Sequence, residues 1–244
     1  MVVYNSVIVD WWNKVSGSFY QNFIDANRWK YLYNGLGVTL QIAFFAVLLG
    51  IAIGVIVSSI RSTYELNDKR GPVLRFGNFL CKIYITVIRG TPVLLQLLII
   101  YFVIFASVRI DKVLTASIAF GINSGAYVAE IFRSGIMSID KGQFEAGRSL
   151  GLNYLQTMRY IILPQAFKNI LPALGNEFIV LIKETSIAGY IGMHDLTKGA
   201  DIIRSQTYAP FPPLLAAGII YLVIVVGLTS LVTRLERRLR SSDH

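Results

Sequence analysis

Residues 143–164 read QFEAGRSLGLNYLQTMRYIILP, the one long polar, helix-compatible stretch in a chain built mostly of apolar blocks. Residues 143–150 suit a short helix, and Gly151 tolerates the positive φ that a sharp turn needs. Asn153 is a good N-cap for a second helix reaching about Ile162, and Pro164, which has no amide proton, is expected to end it. The stretch predicts a compact knob of two short helices joined at a glycine. Taken alone, it would also suit an ordinary amphipathic surface helix.

The composition sets what surrounds the knob. Of 244 residues 54% are apolar and 15% charged, and the mean hydropathy is +0.56. A soluble domain of this length needs a more polar surface, so an all-α integral membrane protein is expected. The net charge of +9 could serve a nucleic acid, but the basic residues flank apolar blocks and do not gather on one polar domain. They fit a rim against the anionic headgroups of a lipid bilayer, and no nucleic-acid partner is expected. Cys81 is the single cysteine, which rules out an intramolecular disulfide. The N-terminus lacks the basic region, short apolar core and cleavage site of a secretory signal, so Met1 is expected to belong to the mature chain.

Working outward from the knob, about five transmembrane helices emerge. Just before it, 113–133 is a span with Gly121 and Gly125 at close-packing spacing and a polar face at Asn123, Tyr127 and Glu130, with Ser124 beside it. Such a face should line a cavity or meet partners, and for Glu130 an ion pair with Arg133 is the plainer reading. Before that, 83–108 is a span kinked at Arg89-Gly90-Thr91-Pro92; a basic loop is expected over 61–82. Residues 36–60 form the first span, with Gly50 and Gly54 repeating the small-residue spacing. An aromatic arm over 1–34, with Trp11, Trp12, Phe19, Tyr20, Phe23, Trp29, Tyr31 and Tyr33, either lies in the headgroup layer or forms a loose tail. After the knob comes a broken span over 170–186 containing Pro172 and Glu177, and its irregularity points inward. An external loop over 192–213, with a short helix at 194–206, leads to the last span, 214–232. The transmembrane domain runs over 35–240 and ends in a tail at 241–244.

Charge orients the chain. The segments 61–82, 133–168 and 234–244 hold fourteen Lys and Arg, whereas 1–35, 107–112 and 187–212 hold seven. The positive-inside rule then puts the knob and the C-terminus in the cytoplasm and the N-terminus outside.

The spacing Glu145-Ala146-Gly147, three residues, Gly151, nine residues, Ile161, then Leu163-Pro164 resembles the EAA loop of the membrane subunits of ATP-binding-cassette importers. Gly147 stands where that pattern usually has a second alanine, and either residue is small enough for close packing. Arg89-Gly90-Thr91-Pro92 and Lys183-Glu184-Thr185-Ser186 resemble segments of the polar-amino-acid branch (histidine, glutamine and arginine uptake), although Arg89 by itself also suits a snorkelling side chain. The resemblance implies a type I importer permease fold in a bacterial cytoplasmic membrane, with a coupling helix carrying Glu145, Ala146, Gly147 and Gly151. It also implies two ATPase subunits that carry ATP and Mg, a second permease copy or a related chain, and an extracellular solute-binding protein.

The chain has no G-x-x-x-x-G-K-[ST], so no cofactor is expected on it and its energy must come from a partner or from an ion gradient. Asn123, Ser124, Tyr127, Thr185 and Ser186 offer donors and acceptors for a zwitterion. Glu130 and Glu184 add negative charge that suits a basic amino acid, arginine, lysine or histidine. A neutral polar cargo and an ion-driven secondary transporter are the rival readings, the latter having no use for the knob. Two histidines, with no H-E-x-x-H and no G-x-S-x-G, speak against an intramembrane enzyme.

Overall fold

Trp29–Leu66, a single helix of 38 residues, is the mast of the fold and is longer than the 36–60 span expected from hydropathy. At about 1.5 Å per residue it measures roughly 57 Å, so both ends stand clear of a hydrocarbon core about 30 Å thick. The computed structural model describes residues 12–66 and 70–240. Trp11 of the arm, Lys69 of the basic loop, the tail at 241–244 and the Arg240 side chain lie outside the described residues.

All described elements are helical. Helix α1 (12–19) runs into a π-turn, Tyr20–Ile24, and a 3-10 turn, Asp25–Asn27, before α2 (Trp29–Leu66). The chain continues through α3 (Pro72–Gly90), α4 (Val93–Ile99, with a π-turn at Ile100–Ile104) and α5 (Lys112–Met137). Next come α6 (Lys141–Ser149), α7 (Tyr154–Thr157, with a π-turn at Met158–Ile162) and α8 (Leu163–Glu184). A 3-10 turn, Thr185–Ile191, then leads to α9 (Leu196–Thr207) and α10 (Phe211–Arg240).

Three expectations change. The loop expected over 61–82 is mostly helix, because α2 ends at Leu66 and α3 begins at Pro72. The span expected over 83–108 is not one kinked helix: α3 and α4 meet at 107°. Proline crowds the preceding residue out of the helical region, and Thr91 is accordingly extended (φ −122°, ψ 147°). Pro164 does not end a helix. It sits in the first turn of α8, and the preceding π-turn, which shifts the hydrogen-bond register just ahead of it, passes the chain on without a break.

By length and apolarity α2 and α10 each suffice to cross a membrane, with the bent α3–α4 pair as a third candidate. The more polar α5 and α8 are held among them. Helices α2 and α5 meet along a reciprocal glycine seam, each using the small-residue spacing read in its sequence. A methyl at Gly54 would lie 2.5 Å from Val128 Cγ1, and one at Gly125 would lie 3.0 Å from Ile53 Cβ. With no hydrophobic force between helices in lipid, such backbone approach is what binds them. Ile42, Ala46, Phe120, Leu181 and Ile182 fill the largest buried cluster, between α2, α5 and α8. Helix α9, beginning two residues later than expected, closes one end of the bundle. Leu196 N donates to Thr39 Oγ1 at 3.2 Å, and Asn22 of the arm accepts from Thr207 Oγ1 at 2.8 Å. That buried contact ties the arm to α9, while Trp12, Phe19, Tyr20 and Tyr33 remain exposed.

Candidate functional site

The first helix, the bend and the cap form as the sequence foretells, while the second helix runs on into α8. Asp140 caps α6 by accepting from Gly142 N at 2.6 Å, and Gly151 takes φ +78° at the turn. Asn153 and Gln156 form a reciprocal capping box on α7, with bonds of 3.0 and 2.9 Å. Glu145 and Ala146 are exposed on α6 and Gly147 is buried against α7. A methyl on Gly147 would lie 2.6 Å from Thr157 Cγ2, so in this chain alanine would not fit as readily as its size suggests. Leu150 and Leu155 flank the bend at 76% and 75% exposure, an apolar pair that wants a partner's surface.

The expected polar face of α5 is present, but its members go to separate partners. Asn123 Nδ2 donates to Gln96 Oε1 at 2.9 Å. Gln96 in turn donates to Ile88 O (2.7 Å), Thr91 O (3.1 Å) and Thr91 Oγ1 (2.8 Å), satisfying carbonyls freed at the α3–α4 bend. Tyr127 lies under the Arg89 guanidinium, 5.1 Å from ring centre to Cζ. Ser124 Oγ donates to Glu177 Oε1 on α8 at 2.7 Å, and both residues are buried. Sequence reading missed Gln96 and left Glu177 out of the site. The available signals were a glutamine four residues after Pro92 and a carboxylate seven before Glu184, on the same helical face.

Glu130 joins a cluster at one end of α2 and α5. It pairs with Arg133 and, at 3.6 Å, with Arg61, while Glu65 meets Arg133 at 3.1 Å and Arg61 at 3.3 Å. The plainer reading of Glu130 therefore describes its contacts here. Glu184 closes α8, and Thr185 Oγ1 turns back to Ile182 O at 2.8 Å. Ser186 opens onto a cavity of about 360 Å³ shared with Tyr190, Thr197, Lys198, Asp201 and Arg204. The structure thus brings Ser124 to Glu177 and leaves Asn123, Glu130 and Ser186 in three separate places.

Below that cavity Asp195 is fully buried. Its Oδ2 caps α9 through Thr197 N at 2.9 Å, while Oδ1 has no partner. Burial pushes its carboxyl up to about 6, against the bonds from α9. Half-buried Asp201 moves the other way, held low by hydrogen bonds from Lys198 and Arg204. No group of three or more His, Cys, Asp or Glu placed to hold a metal occurs among the described residues.

Residues 73–241 match the family described as the binding-protein-dependent transport system inner membrane component. The arginine transport system permease protein ArtQ of Bacillus subtilis is 40% identical over 216 residues, 87% of this chain and 94% of that one. The glutamine transport system permease protein GlnP of Escherichia coli K12 is 37% identical, over 86% of this chain and 93% of its own. Among solved structures, an amino acid ABC transporter crystallised with histidines superposes with a TM-score of 0.78 at 42% identity, covering 88% of this chain and 98% of that one. The inward-facing MetNI methionine ABC transporter superposes at 0.70 with 18% identity, over 85% and 95%, a likeness of fold alone. Arranged in the type I ABC importer permease fold, and a transport subunit and not an enzyme, the chain belongs to the binding-protein-dependent transport system inner membrane components.

Proposed function

We propose that this chain is the permease subunit of an ATP-driven amino acid importer, that its cargo is basic, and that residues 143–164 couple it to a separate ATPase. The observation that carries the coupling is continuity. The knob presents exposed Leu150 and Leu155, and from Tyr154 to Glu184 the helical backbone has no break. A push on the knob is therefore a push on α8 and its carboxylates, Glu177 and Glu184.

The relatives' substrates, arginine and glutamine by their names, support an amino acid and leave its charge open. Two carboxylates on one face of α8 favour a cation. Thr185 and Ser186 supply further polar contacts at the same end of the helix. The basic-charge bias favours a bacterial inner membrane topology with the N-terminus outside and the C-terminus and knob inside. A two-fold pair of this chain would enclose the pathway, dock two ATPases by two knobs, and receive cargo from an external binding protein. ATP and its metal belong to the ATPase subunits, and no residue here is assigned to them.

The test is Glu145→Arg in the assembled transporter. Uptake and ATPase co-purification should be lost while the permease keeps its melting temperature. Retained ATPase binding and uptake would overturn the coupling. Uptake that collapses with the ion gradient but survives an inactive ATPase would favour a secondary transporter.

A further inference from the structure

The arm and the start of α10 leave a groove between them. Val15, Phe19 and Phe23 form one wall and Phe211, Leu215 and Ile219 the other, around a space of about 610 Å³. The wall on the arm is pinned in place. Asn22, fully buried, donates to Ser18 O at 2.7 Å and accepts from Thr207 Oγ1 of α9 at 2.8 Å. The Phe19 and Phe23 rings pack 5.2 Å apart, and Arg28 holds the next turn by donating to Gln21 O at 2.6 Å. The anchored arm stands off from α10, and no described side chain fills the gap: Val15, Phe19, Phe211, Leu215 and Ile219 all remain exposed.

The groove has a depth and a charge. It opens where α10, long and apolar enough to cross a membrane, begins. Trp12 and Tyr20 of the arm and Tyr33 at the start of α2 stand exposed nearby, side chains that favour the headgroup layer. Lys14 and Ser18 are the polar side chains in the lining, which holds no carboxylate, and Lys14 has no ion pair among the described residues. A phosphate beside Lys14 gains a charge-assisted partner, whereas the cationic group of a zwitterionic headgroup finds no acid here. The apolar walls are no more attractive to a lipid tail than the bilayer is, so the headgroup makes the choice.

We propose that this groove is a site for one anionic phospholipid, its acyl chain lying between the arm and α10 and its phosphate on Lys14. The bound lipid clasps the arm to the last span. None of the residues assigned to cargo or coupling lines the groove, so the site stands or falls independently of the proposed function.

The test is native mass spectrometry and thermal unfolding of the full-length permease, delipidated in detergent and then given phosphatidylglycerol or phosphatidylcholine. The wild type should hold one phosphatidylglycerol per chain, preferred about fivefold over phosphatidylcholine, the factor one lysine near an anionic headgroup supplies. Lys14→Glu should erase that preference and leave the lipid-free melting temperature unchanged. Leu215→Trp, which fills the groove, should release the tight lipid whatever its headgroup. A wild type with no headgroup preference, a preference that survives in Lys14→Glu, or a tight lipid that survives in Leu215→Trp overturns the proposal. So does a Val15→Cys thiol shielded from maleimide in lipid-free oligomers, which gives the groove to a second copy of the chain. Should Leu215→Trp fail to fold, Lys14→Glu decides alone, since its side chain is exposed.

Discussion

Gly147→Ala is a small change with a large expected effect. Its new methyl would lie 2.6 Å from Thr157 Cγ2, 2.8 Å from Thr157 Oγ1 and 3.2 Å from Ile161 Cδ1. Carbon atoms in ordinary contact sit about 3.5–4.0 Å apart, so α6 and α7 must separate by roughly 1 Å or Thr157 must leave its rotamer. Overpacking of this kind costs about 1–3 kcal/mol. If the strain is relieved by tilting α6 away from α7, the docking surface moves and affinity for the ATPase falls roughly fivefold to 150-fold. Thr157→Ala removes both crowding atoms. Its Oγ1 is buried without a hydrogen-bond partner, so the loss costs about 1 kcal/mol, mostly the methyl. The double variant should then recover most of the loss, a coupling energy of about 1–3 kcal/mol in a double-mutant cycle. Melting temperature and ATPase affinity of the purified permease read the two consequences separately. A neutral Gly147→Ala, or a Thr157→Ala that fails to rescue it, would refute the packing argument.

The pH dependence of stability should carry the mark of Asp195. A carboxyl raised from 3.8 to about 6 in the fold penalises folding fully above the upper value and not at all below the lower. Stability should therefore fall by up to roughly 3 kcal/mol as pH rises from about 4 to 6. Asp195→Asn keeps an N-cap and should abolish that fall, read as a melting-temperature difference between wild type and variant across the window. Gln96→Leu should cost about 2–4 kcal/mol, because it strips Ile88 O, Thr91 and Asn123 of one shared partner; an unchanged melting temperature would deny the bend its brace. Gly54→Ala, whose methyl meets Val128 Cγ1 and lies 2.9 Å from Ala129 N, should destabilise by about 1–3 kcal/mol. Gly37→Ala on the same helix meets nothing within 4 Å and should be neutral or stabilising by up to about 1 kcal/mol.

What sequence reading caught was local. Gly151 at the turn and Asn153 as a cap act within a few residues, and their geometry follows from the residue types alone; the reciprocal bond from Gln156 came with the structure. Gly50, Gly54, Gly121 and Gly125 were legible because the spacing that lets helices approach is itself periodic. What it missed depends on the neighbour across the bundle. Helical spacing put Asn123, Tyr127 and Glu130 on one face, but it held no sign that Gln96, Arg89 and Arg61 would divide them. Pro92 and Pro164 show the same limit. One turns the chain through 107°, while the other starts a helix, because a π-turn upstream of it takes up the register.

That π-turn bears on how a push from the ATPase would travel. Between Tyr154 and Glu184 the backbone stays helical for about 45 Å, so α7 and α8 move as one lever. Helix α6, in contrast, reaches α5 through the non-helical Ser138–Asp140 segment and reaches α7 through the Gly151 bend. Two ties cross these joints. Asn169 Nδ2 donates to Ser138 Oγ at 2.9 Å, and Gln165 Nε2 donates to Gln143 Oε1 at 3.2 Å. Both are exposed bonds between side chains, each worth about 1 kcal/mol, whereas the helix from Tyr154 to Glu184 keeps most of its backbone bonds, Pro164 and Pro172 being the residues without a donor. Displacing the knob should thus move α8 against α5 through the buried cluster of Phe132, Ile136, Ile162, Ala166 and Ile170, on which Phe144 of α6 also packs. The Ser124–Glu177 hydrogen bond, farther along the same two helices, should shift with it.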